Sequence, residues 1–290
     1  MNRPELRDYT SAEASGPLEL ELPVVRVIRP VKRRVRLRHL PRDGPVIRVL
    51  AARDFKVKYK QSVLGPLWLV FQPLALLAAF FVAFRNLADV QPGIPYSVFA
   101  LVGLSVWAFF QASMIIGASS LISNSMLVRF TPCPRFAFPT AAILASLPTW
   151  AVTTLAAGVV AAATGTLSPR ALLWPLGLVW LFMLTWGVAA LAASFSVRYR
   201  DILAAMPFLL QVGVFLAPIG YPLNQLGGAA QRLVELNPLT GLVEACRWMM
   251  VSGYHVSPRV ICFSLATTAI IALAGWRVFT RLETTMADNI

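Results

Sequence analysis

The chain has 290 residues, a formal net charge of +13, 57% hydrophobic side chains and only 13% charged ones, against roughly 25% charged in soluble domains. A soluble fold of this size could not cover so much apolar surface, which excludes an ordinary soluble domain. Fifteen of the 26 Lys and Arg lie between Arg3 and Lys60; beside membrane segments such a run is a positive-inside signal and an attraction to anionic lipid, so no nucleic-acid partner is expected.

Residues 1–23 carry Glu5, Asp8, Glu13, Glu19 and Glu21 among turn formers and read as a loosely ordered tail. Residues 24–40 mix β-branched and basic side chains, a pattern compatible with a short strand, and Pro41 to Pro45 should break the chain. The spacing from Val46 to Lys60 predicts an amphipathic helix on the inner membrane surface. Arg53, Lys56 and Lys60 share one stripe; Val46, Ile47, Leu50, Ala51, Phe55 and Val57 spread over the opposite arc, which Asp54 and Lys58 interrupt. Ser62 and Leu64-Gly65-Pro66 follow, where glycine and proline suit a bend into the membrane. The chain thus divides into a cytoplasmic tail, 1–45, and a transmembrane domain, 46–290.

Six stretches then carry no charged residue: 61–84, 90–128, 136–169, 171–197, 202–231 and 260–276. Each reaches the roughly 17 to 25 residues that cross about 30 Å of hydrocarbon. None shows the alternation, about ten residues per strand, of a membrane barrel, so they are helices. The second span should run from about Tyr96 to Ile122, after the turn cluster Pro92-Gly93-Ile94-Pro95, and open into a polar inner loop at 123–138. Spans over about 138–163 and 171–195 are joined outside by Thr164 to Arg170, and Arg198-Tyr199-Arg200-Asp201 connects to the fifth. Between Tyr221 and Pro258, Arg232, Glu235, Glu244 and Arg247 interrupt the apolar residues. A full crossing would cost about 2.5 to 3.5 kcal/mol per central charge, so short re-entrant or interfacial helices on the outer face are expected. The fold class is therefore an all-α membrane protein: six transmembrane helices, an N-terminal interfacial amphipathic helix, and re-entrant outer helices between spans 5 and 6. With the N-terminus inside, the inner gaps hold 21 Lys and Arg and the outer gaps 5, so both termini are expected in the cytoplasm. No cleavable signal peptide is expected, because the first 45 residues lack its apolar core.

None of the six runs holds an Asp, Glu or His, so no intramembrane acid–base relay, metal or ion coupling is expected. Cys133, Cys246, Cys262, His39 and His255 are isolated and define neither a disulfide framework nor a metal site. No GxxxxGK[ST] phosphate loop occurs, so energy for uphill movement must come from a partner. Trp68, Phe71, Phe80, Phe81 and Phe84 in the first span, and Trp107, Phe109 and Phe110 in the second, are packing or interfacial residues in the plain reading. The functional alternative is that some line a path for sugar rings.

Longer strings carry a resemblance. Residues 53–68, RDFKVKYKQSVLGPLW, followed by Gln72-Pro73-Leu74, together with FALVGLSVWAFF at 99–110, NPLTGLVEACRWM at 237–249 and Glu283 with Ala287-Asp288, resemble the ABC-2 type permeases that export polysaccharides, among them O-antigen, capsule and teichoic-acid exporters. The likeness covers about residues 46–290. Where that family's second loop has a lysine followed by Phe-Pro-Arg, this chain has Arg129 and Cys133-Pro134-Arg135, which keep the basic character.

The resemblance implies an exporter of two identical permeases and two cytoplasmic ATPase subunits, with ATP-Mg in the ATPase, carrying a lipid-linked glycan through the cytoplasmic membrane. No catalytic residue, metal or cofactor is expected in this chain. The resemblance puts Arg53, Lys56, Lys58, Tyr59, Lys60, Leu64 and Gly65 near the substrate entrance; the plainer reading of the cations is topology and lipid anchoring. It puts an ATPase-coupling helix in the loop holding Ser123, Asn124, Leu127, Arg129, Phe130, Pro134 and Arg135, and an outer gate around Asn237, Pro238, Glu244 and Arg247. Basic groups at the entrance suit a pyrophosphate-linked lipid, since charge-assisted bonds to phosphate are strong. An ABC-2 permease for drugs or lipids, and a membrane-embedded glycosyl- or acyltransferase, are the alternatives.

Overall fold

The computed structural model describes residues 40–60, 62–87, 89–131 and 133–289, so the strand expected at 24–40 lies almost wholly outside the described residues. Helix α1 spans Leu40–Tyr59 and runs through Pro45. The expected break at 41–45 is therefore helix. Pro41 sits in the first turn, where its missing N–H has no helical partner anyway, and Pro45 forfeits only one bond just beyond it. Asp43 in the first turn lies at the favourable end of the helix dipole.

Ile47 and Leu50, each 7% exposed, press α1 into a cluster with Leu121, Val128, Phe136, Ala137, Phe138, Ala141, Ala190, Ala193 and Phe279. Val46, Val49 and Val57 point outward. The helix is thus docked on protein by one apolar edge and presents a second edge to its surroundings.

Among the described residues, five helical segments are long and apolar enough to cross a membrane: Trp68–Asn86, Tyr96–Ser123, Ala137–Ala163, Pro169–Ser196 and Pro258–Glu283. The first is α2 (Trp68–Phe80) continued by a π-helical stretch, Phe81–Leu87. The second is α3 (Tyr96–Ser123), central to the bundle, with Val98 through Trp107 buried. A turn at Ala145-Ser146 divides the third into α5 (Ala137–Leu144) and α6 (Leu147–Ala163), with Pro148 starting the new helix. The fourth is α7 (Trp174–Ser196), entered through a short 3-10 turn, Pro169–Leu173, and the last is the long α11 (Pro258–Asn289).

The fifth uncharged run forms α8, Asp201–Leu216, of 16 residues. At 1.5 Å per residue it covers about 24 Å. It stops because Ala217 precedes Pro218 and is held extended at φ −96°, ψ 142°. The chain then turns back as α9 (Gly228–Leu236), which buries nothing, and α10 (Pro238–Met250), whose residues are nearly all buried. Loops after α6 and α10 meet through Leu167 and Val251, with Ser168 N–H donating to Met250 O at 2.9 Å and Ser252 N–H to Thr166 O at 2.8 Å. Gln225 Nε2 reaches Gln91 O at 3.2 Å. One end of the bundle is therefore built from the segments at 89–95, 164–170 and 217–257. The opposite end holds α1, residues 124–131 and 133–136 and the C-terminal part of α11, joined in the Ile47–Phe279 cluster.

Candidate functional site

At the α1 end, Arg53 is engaged. Its guanidinium donates to Asp54 Oδ1 at 2.7 and 3.1 Å and, across 71 residues of chain, to Asn124 Oδ1 at 2.6 Å. Asn124 stands at the break between α3 and α4 (Ser125–Phe130), in the position from which an asparagine commonly caps the next helix. It does not cap: its oxygen serves Arg53 and its Nδ2 donates to Ser120 O at 2.7 Å. The start of α4 is thus tied to α1 by a charge-assisted bond. Lys56 and Lys60 are exposed, and Tyr59 is the last residue of α1. Lys58 keeps an exposed surface, yet protein packed around it lowers its ammonium pKa from 10.5. Leu64 is 41% exposed, and Gly65, at φ +48°, makes the bend in a backbone conformation that favours glycine.

In the neighbouring loop, Ser123, Arg129 and Phe130 are exposed, Phe130 at 73%, while Leu127, Pro134 and Arg135 are half-buried. Helix α4 therefore offers Met126, Arg129 and Phe130 outward at the same end of the bundle as the basic edge of α1.

The aromatic residues split into two sets. Phe80, Trp107 and Phe110 are packed inside the chain, with Trp107 against Gly213 of α8. Trp68, Phe71 and Phe81 are exposed, the first two in edge-on contact at 5.5 Å, and Phe84 is half-buried against Gly220.

At the other end, Asn237 caps α10, accepting from Leu239 N–H at 3.0 Å, and donates to Leu216 O at 3.2 Å; Pro238 takes the first helical position. Glu244 and Arg247 are buried deep in the unit, not interfacial as charge alone suggests. Arg247, fully buried, donates to Glu244 Oε1 at 2.8 Å, to Ile219 O at 2.9 Å and to Phe99 O at 3.3 Å, and its guanidinium lies 3.4 Å from the Phe99 ring centre. Tyr254 donates to Glu244 Oε2 at 2.9 Å. Every charged atom there has a partner, which is what makes a buried pair tolerable. Sequence reasoning missed Asn124 as the partner of Arg53, and Tyr96, Phe99, Ile219 and Tyr254 around Arg247; only the i, i+3 spacing of Glu244 and Arg247 signalled a pair.

The fold and these two polar centres define a multi-pass helical membrane protein with a shorter apolar helix, α8, followed by a buried, charge-stapled helix, α10. Residues 45–251 match the family model of ABC-2 type transporters, and the chain belongs to that family. Its relatives include the O-antigen export system permease protein RfbA of Klebsiella pneumoniae, 25% identical over 243 residues, covering 83% of this chain and 93% of the relative. The protein of the same name from Myxococcus xanthus is 22% identical, covering 83% and 94%. The polysialic acid transport protein KpsM of Escherichia coli is 25% identical over 238 residues, covering 80% and 92%.

Proposed function

We propose that this chain is the membrane permease subunit of an ATP-binding-cassette exporter that carries a lipid-linked polysaccharide across the cytoplasmic membrane. Both termini face the cytoplasm, and two identical permeases work with two ATPase subunits, which bind ATP-Mg. The observation that carries the reading is its likeness, over four-fifths of its length, to permeases named for O-antigen export and for polysialic acid transport. Those names carry different glycans, so the cargo is assigned as a class, lipid-linked polysaccharide. The geometry agrees. Uncharged runs fill the spans, and the basic edge of α1 and the outward face of α4 share one end of the bundle. An entrance for a phosphate-bearing lipid and a docking face for an ATPase are thus adjacent.

The test is reconstitution with the cognate ATPase in vesicles supplied with lipid-linked glycan. ATP should drive the glycan across, and a Walker-lysine variant of the ATPase should abolish the movement. Transport of drugs or plain phospholipid in place of glycan would sink the assignment. So would purified permease that hydrolyses ATP unaided.

A further inference from the structure

Between α8 and α9 the backbone depends on side chains from other elements. Ala217, Pro218, Ile219 and Gly220 are all buried, yet they belong to no helix. Buried carbonyls outside a helix must find donors elsewhere, and at membrane depth water is not the default. Two are met by side chains from different elements. Ile219 O accepts from Arg247 at 2.9 Å, and Gly220 O accepts from the Tyr96 hydroxyl at 3.0 Å.

Tyr96 is the first residue of α3 and 5% exposed. The same hydroxyl lies 3.2 Å from Phe80 O, at the end of α2 where the π-helical stretch begins. A phenol has one proton to give, so the two carbonyls share it, and Tyr96 joins α2, α3 and the α8–α9 break at one atom. Phe81 packs edge-on against its ring at 5.8 Å. Helix α8, by contrast, buries only Leu210 and Val214. Ile202, Leu203 and Met206 pack partly against the core and most of its other side chains face outward, so the position of the helix depends in part on how its outer end is fixed.

We propose that Tyr96, acting with Arg247, is a positioning residue that clamps the outer end of α8 to α2 and α3 and thereby holds the outer gate shut between export cycles. This rests on the exporter reading above. The shared proton makes the clamp reversible. When α8 swings away, Tyr96 keeps Phe80 O as its acceptor, and Gly220 O turns to water in the opened path. No polar group is stranded on the α2–α3 side.

The experiment uses the permease–ATPase complex in vesicles without ATP and reads potassium efflux. Tyr96→Phe removes one hydroxyl and nothing else; efflux should rise about fivefold, the effect of one net hydrogen bond on a two-state equilibrium, with ATPase activity kept. Tyr221→Phe is the control, because that hydroxyl bonds Phe215 O within the end of α8 itself, at 2.8 Å, and its efflux should match wild type. Gly103→Ala strains the clamp from α3, since the added carbon would sit 3.1 Å from both Arg247 Nη2 and Ile219 Cγ2, and should leak in the same direction. Tight Tyr96→Phe vesicles, or equal leaks from both tyrosine variants, would overturn the proposal. If Tyr96→Phe is not recovered from membranes, Gly103→Ala decides alone, and a tight result overturns the clamp. Wild-type complex that moves no glycan with ATP counts against the exporter reading, whatever the variants leak.

Discussion

Arg53 and Arg247 are each tied to a nearby acid and to a group distant in the chain, but the medium around them differs, and so should the effect of removing them. Arg247 is fully buried, so Arg247→Ala leaves the buried Glu244 carboxyl group short of its main partner. About 3 to 5 kcal/mol of stability should go, read as a lower midpoint of thermal unfolding in detergent and a reduced membrane yield; an unchanged midpoint would mean that water reaches Glu244. The Arg53 side chain is 39% exposed, so its loss should hardly touch stability. Its bond to Asn124 instead joins α1 to α4. Arg53→Ala and Asn124→Ala should each reduce export with the ATPase still co-purifying, and the double variant should be no worse than either. Additive losses would show that the two residues act separately. Lys56→Ala and Lys60→Ala, which remove exposed charge, should weaken export in a salt-dependent way if these cations meet a phosphate-bearing substrate. The helical wheel puts all three cations on one stripe, but it is blind to a partner 71 residues away. The Glu244–Arg247 pairing was legible from i, i+3 spacing. Its burial was not, because the carbonyls and ring that make burial tolerable come from α3 and from the α8–α9 break.

At the scale of elements, α7 and α11 approach each other backbone to backbone. A Cβ on Gly275 would lie 2.5 Å from Gly187 O, and one on Gly187 would lie 2.8 Å from Ala272 Cα. Both obstacles are backbone, so no rotamer change relieves them, and without a hydrophobic force between helices in lipid this contact is where packing is won. Gly187→Val should push the helices apart and cost at least the roughly 1 to 3 kcal/mol of an overpacked core; Gly158→Val, with open space around its Cβ, is the comparison. Thermal aggregation in detergent reads the difference, and equal midpoints would refute the packing argument. The uncharged runs locate the membrane helices, since hydropathy over some twenty residues is insensitive to detail. Their internal breaks depend on short-range chemistry. Ala217-Pro218 ends α8 by a signal present in the sequence, a residue held extended before proline. Pro41 and Pro45 carry the same punctuation and break nothing, because they fall at a helix start. Proline marks a boundary, but which side of it is helical is settled by the packing of Ile47 and Leu50 on α5.

For the molecule as a whole, the native cysteines allow sidedness and partner docking to be tested together. Cys133 lies in the loop after α4, half-buried, at the same end as α1; Cys246 is buried in α10, and Cys262 is exposed on α11. With Cys262 replaced by alanine, Cys133 becomes the reporting thiol. Burial, with Asp43 adding repulsion, pushes that thiol above its usual 9.0. The reactive thiolate is therefore scarce at neutral pH. Alkylation should be slow at pH 7, should quicken about tenfold per pH unit, and should still be rising beyond pH 9. Asp43→Asn should bring the rise to lower pH by removing the repelling charge. A membrane-impermeant maleimide should reach Cys133 in inside-out vesicles and not in intact cells. Bound ATPase should slow the reaction further, because the exposed Met126, Arg129 and Phe130 of α4 lie just ahead of it in the chain. Labelling from outside intact cells would invert the orientation read from the charge asymmetry and with it the assignment of inner and outer ends. Labelling that ignores the ATPase would place the docking face elsewhere on the inner end.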